Sequence, residues 1–225
     1  MKQHILIIAF TLLAYLPSWA QQKSETELGM ERQGLIDLQT IEPSIIVDLM
    51  YSRPDNFTGK TLYTDIHRGY LHPEAATALK KAQAELKRLR PDLSLKVFDA
   101  TRPMSVQQKM WNIVAGTPIY FYVSNPKNGG GLHNYGLAVD ITLCEVATGD
   151  TLHMGTKVDY MGKLAHVKSE AEMLKQGKLS HRAIENRRLL RKVMTAAGFK
   201  VLPTEWWHFN FKSRAEAKAK YKVIK

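Results

Sequence analysis

Gly131-Leu132-His133-Asn134-Tyr135-Gly136-Leu137-Ala138-Val139-Asp140 sets an imidazole and a carboxylate seven residues apart at the mouth of a stretch with strand periodicity. Leu137, Val139, Ile141 and Leu143 share one face, and Ala138, Asp140 and Thr142 the other. The alternation predicts a strand over residues 137–143, which puts Asp140 on a rigid element and His133 in the loop feeding it. Gly136 supplies the backbone freedom to bring both side chains to one point. A third partner is offered by Thr204-Glu205-Trp206-Trp207-His208-Phe209, where a second histidine stands beside a carboxylate. His133, Asp140 and His208 with one open position form the donor set of a catalytic zinc site, one ion per chain, and Glu205 is then the natural general base.

Either segment alone reads as a hydrogen-bonded structural histidine, because H-x6-D lacks the fixed one-turn geometry of the helical H-E-x-x-H motif. The combination carries the metal reading. A single cysteine, Cys144, removes thiolate zinc sites and disulfide frameworks, and at the end of the Asp140 strand it reads as a small buried hydrophobe. One geometric tension stands: Glu205 and His208 are three apart, which on a flat strand means opposite faces. Glu205 is therefore expected in a turn or bulge ahead of the regular strand.

Working outward, residues 1–20 read as a cleavable export signal. Lys2 is followed by an almost wholly apolar run from Ile5 to Leu16, and Ser18-Trp19-Ala20 precedes Gln21 in a small-x-small cleavage pattern. The expected mature chain is residues 21–225, periplasmic or secreted, with no further membrane span. Losing Lys2 takes the formal charge from +11 to +10 on about 205 residues, a size that suits a single domain, and the basic excess reads as a solvated surface. The lysines and arginines spread along helix faces without a basic aromatic motif, so a nucleic-acid partner is not expected.

Periodicity predicts a strand over residues 44–51, a polar loop over 51–70 and a helix opened by Pro73 and stopped by Pro91. A strand over 95–100, a helix to about residue 115 and packed aromatics at Tyr120-Phe121-Tyr122 follow. Residues 162–179 read as a polar, mobile stretch that could form a lid. Ser180 caps a helix that Gly198 ends, and two closing strands turn at Pro203. Such a pattern, without regular strand and helix alternation, indicates an α+β domain with a mostly antiparallel central sheet flanked by helices.

His133 to Asp140, as H-x-x-G-x-A-x-D, together with Glu205-Trp206-Trp207-His208 resembles the D-alanyl-D-alanine dipeptidase family of the VanX type. Tyr51, Asp55-Asn56-Phe57-Thr58-Gly59-Lys60, Arg102-Pro103, Met154-Gly155-Thr156, Asp159, Asn186-Arg187-Arg188 and Gly198-Phe199 extend the resemblance in the same order. The resemblance implies a fold like that of zinc D,D-peptidases and the hedgehog signalling domain. It further implies zinc on His133, Asp140 and His208, Glu205 as base, Arg102 at the transition state, Asp159 with Tyr51 at the substrate amine, and free D-Ala-D-Ala as substrate. Two departures are visible. Gly131 stands where the family usually has serine, and an export signal favours wall-derived dipeptide over antibiotic resistance. Arg102 also reads as a surface ion pair and Asp159 as a turn cap. A D,D-carboxypeptidase or endopeptidase acting on wall peptides, or a zinc-containing binding domain without turnover, are the other readings, although Glu205 speaks against the last.

Overall fold

The computed structural model describes residues 22–225, so the expected export signal lies outside the described residues. The elements run α1 (Glu25–Arg32), β1 (Ile36–Asp37), α2 (Leu38–Ile41), β2 (Ile46–Val47), β3 (Tyr70–Leu71), α3 (Pro73–Leu89), β4 (Leu93–Asp99), α4 (Met104–Val114), β5 (Ala138–Glu145), α5 (Glu170–Lys175), α6 (His181–Ala196), β6 (Lys200–Leu202), β7 (Glu205–Asn210) and α7 (Arg214–Lys220). Five strands form the main sheet in the order β2-β4-β5-β7-β6. β4/β5, β5/β7 and β7/β6 are antiparallel, and β2 joins β4 in parallel. The α+β architecture with a mostly antiparallel sheet is as the sequence predicts.

α3 starts with Pro73 in its first turn, where a missing N–H removes no helical bond. It buries Ala76, Leu79, Ala82 and Leu86 at helical spacing. α6 is capped by the Ser180 hydroxyl, which accepts from the Ala183 N–H at 3.1 Å, and Gly198 ends it at φ +96°. The two helices pack on each other and against β4 and β5. The central strand β5 is buried along almost its whole length, which turns the predicted alternation into two different burials. Val139 and Ile141 enter the core with Leu79, Leu190 and Phe209, whereas Asp140 faces the opposite side, where the functional groups gather.

Several expectations are revised. The predicted strand 44–51 shortens to Ile46–Val47, because the chain turns at Met50–Ser52 and buries Tyr51, whose carbonyl takes the N–H groups of Leu62 and Tyr63 at 2.8 and 2.9 Å. The stretch 162–179, expected to be mobile, is pinned. Glu170 accepts from Arg187 at 3.4 Å and Arg191 at 2.7 Å, and the Val167 N–H donates to the Pro203 carbonyl at 3.0 Å. Ser169 and Glu170 are its buried polar residues, whereas Lys163, Lys168, Glu172, Lys175, Gln176 and Lys178 remain exposed. Tyr120 and Phe121 are 53% and 58% exposed instead of packed. Only Tyr122 of that run turns inward, meeting His166 Nε2 at 2.8 Å.

Among the described residues no helix is long and apolar enough to cross a membrane.

Candidate active site

Strand pairing assembles the site. In the β5/β7 register Asp140 lies directly opposite His208, and β4 sets Asp99 beside Asp140 on the other flank. His133 arrives from the 3₁₀ turn Leu132–Tyr135, which Gly136 closes at φ +66°. A side chain at 136 would strike the His72 backbone nitrogen at 2.9 Å, so this glycine is required by space as well as by conformation. Glu205 lies inside β7 rather than before it. The β6/β7 register jumps from Val201 opposite Phe209 to Leu202 opposite Glu205, and this bulge brings Glu205 Oε2 within 4.0 Å of His208 Nδ1. The expected bulge resolves the spacing problem.

The three donor atoms sit close together: His133 Nε2 to His208 Nδ1 3.2 Å, His208 Nδ1 to Asp140 Oδ1 3.0 Å, and His133 Nε2 to Asp140 Oδ2 3.4 Å. Ligands about 2.0–2.2 Å from one tetrahedral ion stand roughly 3.3–3.5 Å apart. The tautomers sharpen the fit. His133 Nδ1–H donates to the Ala100 carbonyl at 2.6 Å, and His208 Nε2–H donates to Asn210 Oδ1 at 2.9 Å. Both neutral imidazoles therefore aim a lone pair inward, at each other and at a carboxylate, an arrangement that only a cation satisfies. Burial disfavours the charged form of His133, but Asp140 and Asp99 outweigh it and raise its pKa. Burial likewise works against the Asp140 carboxylate, which His133 and His208 nevertheless hold well below its usual range. The cluster demands positive charge, and His133, Asp140 and His208 fit a metal ion.

Around this triad a cavity of about 360 Å³ is lined by Glu205, Arg102, Tyr51 and Asp159. Burial pushes the Glu205 carboxyl up to about 7. His208 opposes the shift, and the Asp140 and Asp159 charges add to it. Arg102 is no surface ion pair. Its Nε and Nη2 donate to the fully buried Asp99 at 3.0 and 2.6 Å, its Nη1 donates to Gln107 at 3.0 Å, and its Nη2 lies 3.8 Å from Asp140. The guanidinium stacks 5.2 Å from the Tyr51 ring. Although burial works against its charge, Asp99 and its other neighbours keep Arg102 ionised well beyond the ordinary range. Three hydrogen bonds use three of its five donors, so two N–H groups stay free for the cavity.

Asp159 is more than a turn cap. It holds φ +71°, the one described non-glycine residue with positive φ. Tyr51 O–H donates to its Oδ1 and Phe57 N–H to its Oδ2, both at 3.0 Å. Burial raises its pKa to about 7, helped by Asp140 and opposed by those hydrogen bonds and Arg102. The loop carrying it is anchored by Trp206 Nε1–H to Thr156 Oγ1 at 2.7 Å and by the buried Arg187, whose Nε donates to the Met154 carbonyl at 2.7 Å. All seven residues expected at the site thus meet in one cavity.

The supporting residues were not read from sequence: Asp99 beneath Arg102, Tyr63 donating to Asp99 at 2.5 Å, Gln107, and Asn210 behind His208. Asp99 and Asn210 carried a usable signal. Asp99 closes strand β4 just ahead of the Arg102 loop, and Asn210 lies two positions after His208 on the same strand face.

Residues 31–225 match the Peptidase_M15 family, described as D-ala-D-ala dipeptidase. The D-alanyl-D-alanine dipeptidase of Escherichia coli K12 is 34% identical over 183 residues, covering 80% of this chain and 86% of that one. The protein of the same name from Enterococcus faecalis is 26% identical over 195 residues, 78% and 90% of the two chains. A third, from Synechocystis, is 29% identical over 161 residues, 59% and 65%. With the match running from α1 to the C-terminal residue, the chain belongs to the Peptidase_M15 D-ala-D-ala dipeptidase family.

Proposed function

We propose that this chain is an exported, zinc-dependent dipeptidase that hydrolyses D-Ala-D-Ala to D-alanine. The observation that carries the reading is the occupancy of a single cavity by three inward lone-pair donors, a buried carboxyl poised near neutrality and a second carboxylate on a strained backbone. The names of the relatives above support the substrate, and the apolar run ahead of Gln21 supports export.

His133, Asp140 and His208 would hold a zinc ion, which would supply Lewis-acid activation of water and of the scissile carbonyl. Glu205, with a pKa near the working pH, takes the proton released as water attacks and delivers it to the leaving amine. Arg102, fixed by Asp99 and Gln107, presents its free N–H groups where negative charge grows on the carbonyl oxygen. Asp159 receives the substrate ammonium. Tyr51, its phenol kept protonated chiefly by burial and by the Asp159 charge, orients that carboxylate. Phe57 donates to Asp159 through its backbone and packs edge-on to Tyr51 at 6.3 Å, which narrows the space a longer peptide would need. That closure favours a dipeptidase over a carboxypeptidase.

Zinc content measured beside D-Ala-D-Ala turnover tests the reading. About one zinc per chain with turnover is expected. A metal-free protein with full activity, or a zinc protein inert on the dipeptide but active on pentapeptide, would overturn it.

A further inference from the structure

Arg187 of α6 is fully buried, and none of the chemistry above uses it. A buried guanidinium normally answers to a carboxylate, and Glu170 is at hand. That pair does not account for it. Glu170 already takes Arg191 on both oxygens, at 2.8 and 2.7 Å, whereas its contact with Arg187 is 3.4 Å. The shorter bonds of Arg187 go to backbone: Nε donates to the Met154 carbonyl at 2.7 Å and Nη2 to the Leu164 carbonyl at 3.1 Å. The guanidinium also lies 5.3 Å from the Trp206 ring, whose Nε1–H holds Thr156. Burial pulls its pKa down to about 10, with Glu170 opposing, so it stays a cation at neutral pH.

The two carbonyls bracket Asp159, one five residues before it and the other five after. The stretch between them belongs to no strand. Among the described residues, the backbone of 153–161 makes a single backbone–backbone hydrogen bond, from the Gly162 N–H to the Tyr160 carbonyl at 3.0 Å. Side chains must therefore hold it in place. Asn186, next to Arg187, adds one such bond, from Nδ2 to the His153 carbonyl at 2.9 Å. Gly155 lets the loop lie against α6, since a Cβ there would strike Leu179 Cδ2 and sit 3.3 Å from the Ala183 Cβ. At the tip, Asp159 keeps its φ of +71°, a conformation that persists only where the surroundings fix it.

We propose that Arg187 is a positioning residue for the substrate ammonium: by clasping both ends of the 154–164 loop it fixes where the Asp159 carboxylate stands, and so sets the preference for a free N-terminus. The inference rests on the dipeptidase reading above. Tyr51 and the Phe57 N–H orient the carboxylate, and Arg187 places the backbone beneath it. A lysine at 187 keeps the charge but lacks the planar fork that spans both carbonyls. The ammonium contact acts in ground state and transition state alike, so misplacing Asp159 appears in KM.

The test is steady-state kinetics of the zinc-loaded full chain on D-Ala-D-Ala and N-acetyl-D-Ala-D-Ala, beside zinc analysis and hydrogen exchange. Arg187→Lys should raise KM for D-Ala-D-Ala about tenfold, with kcat within about threefold, and should shrink the preference over the acetylated substrate by about the same tenfold. Zinc per chain should be unchanged. In an Asp159→Asn background the same substitution should change the preference less than about twofold, because the group it positions is already gone. Amides of 155–163 should exchange faster in Arg187→Lys while those of α6 do not. Arg188→Lys, at the exposed neighbouring position, should change none of these. Where the lysine variant does not fold, Arg187→Gln carries the same comparison.

A purely structural role would cost both substrates equally. Equal losses with the preference unchanged, an unaltered KM, unaltered exchange in the loop, or a full effect in the Asp159→Asn background would overturn the Arg187 assignment while leaving the dipeptidase reading intact. Absence of D-Ala-D-Ala turnover by the wild type would overturn both.

Discussion

Asp159→Asn should make the protein more stable and a worse enzyme, and the structure gives both magnitudes. The carboxyl is raised from 3.8 to about 7, chiefly by burial. Each pKa unit is about 1.4 kcal/mol, so ionising it in the folded state at alkaline pH costs at most roughly 4 kcal/mol, or ~2 kcal/mol once its partial exposure to water is allowed for. The sign follows from linkage. The folded pKa lies above the unfolded one, so the protonated group contributes fully below about pH 4, and that contribution is lost as pH rises through 7. Asparagine carries no such charge, tolerates φ +71° well, and keeps an oxygen to accept from Tyr51 or Phe57. Urea unfolding of the metal-free protein should therefore show Asp159→Asn stabilised by ~2 kcal/mol at pH 8.5 and nearly unchanged at pH 4. Activity should move the other way. A charge-assisted contact with the substrate ammonium is worth roughly 1.5–3 kcal/mol, so wild type should prefer D-Ala-D-Ala over N-acetyl-D-Ala-D-Ala by at least about tenfold, and the variant should narrow that gap. A variant no more stable at pH 8.5, with wild-type discrimination, would refute both the buried-charge argument and the ammonium role.

His208→Ala should lower zinc occupancy together with activity, whereas Glu205→Gln should retain zinc and lose about 10²-fold or more in kcat; full zinc in the first or near-normal turnover in the second, read by metal analysis and rate, contradicts the roles. Arg102→Ala should cost roughly 3–5 kcal/mol of stability by stranding the buried Asp99, so the kinetic role is better read from Arg102→Lys, which should lower kcat more than it raises KM; a pure KM effect would move Arg102 to ground-state binding. For export, mass spectrometry of the mature protein should find Gln21 at or near the N-terminus, and an intact Met1 on a cytoplasmic pool would contradict it.

The chemistry was more legible in the sequence than the scaffold around it. Asp140 could be placed because alternation marks a strand, and α3 and α6 because proline, serine and glycine punctuate their ends. What stayed hidden depends on contacts between distant segments. Glu170 looks solvated until Arg187 and Arg191 close on it. Arg102 cannot be told from a surface residue until Tyr63 and Asp99 bury it from below. Helices α1 and α7 went unread: Ser24 caps the first and Ser213 the second, but short polar helices leave little apolar periodicity to read.

The ligand set is also a statement about how the sheet is held together. Asp140 and His208 are register partners across β5 and β7, and a slip of one residue would turn both to opposite faces. Strand β7 is braced by Val139 against Phe209 in the core and by the bulge that returns Glu205 to the cavity side. Three inward lone pairs within 3.0–3.4 Å of one another resist that register unless a positive charge lies among them. Asp140 and Asp99 raise the pKa of His133, the same demand for positive charge seen from the imidazole. A metal ion bound there would compete with protons for these donors, which would tie metal affinity to pH and metal occupancy to the stability of the β5/β7 pairing. The residues that do the chemistry and those that fix the sheet register are here the same residues.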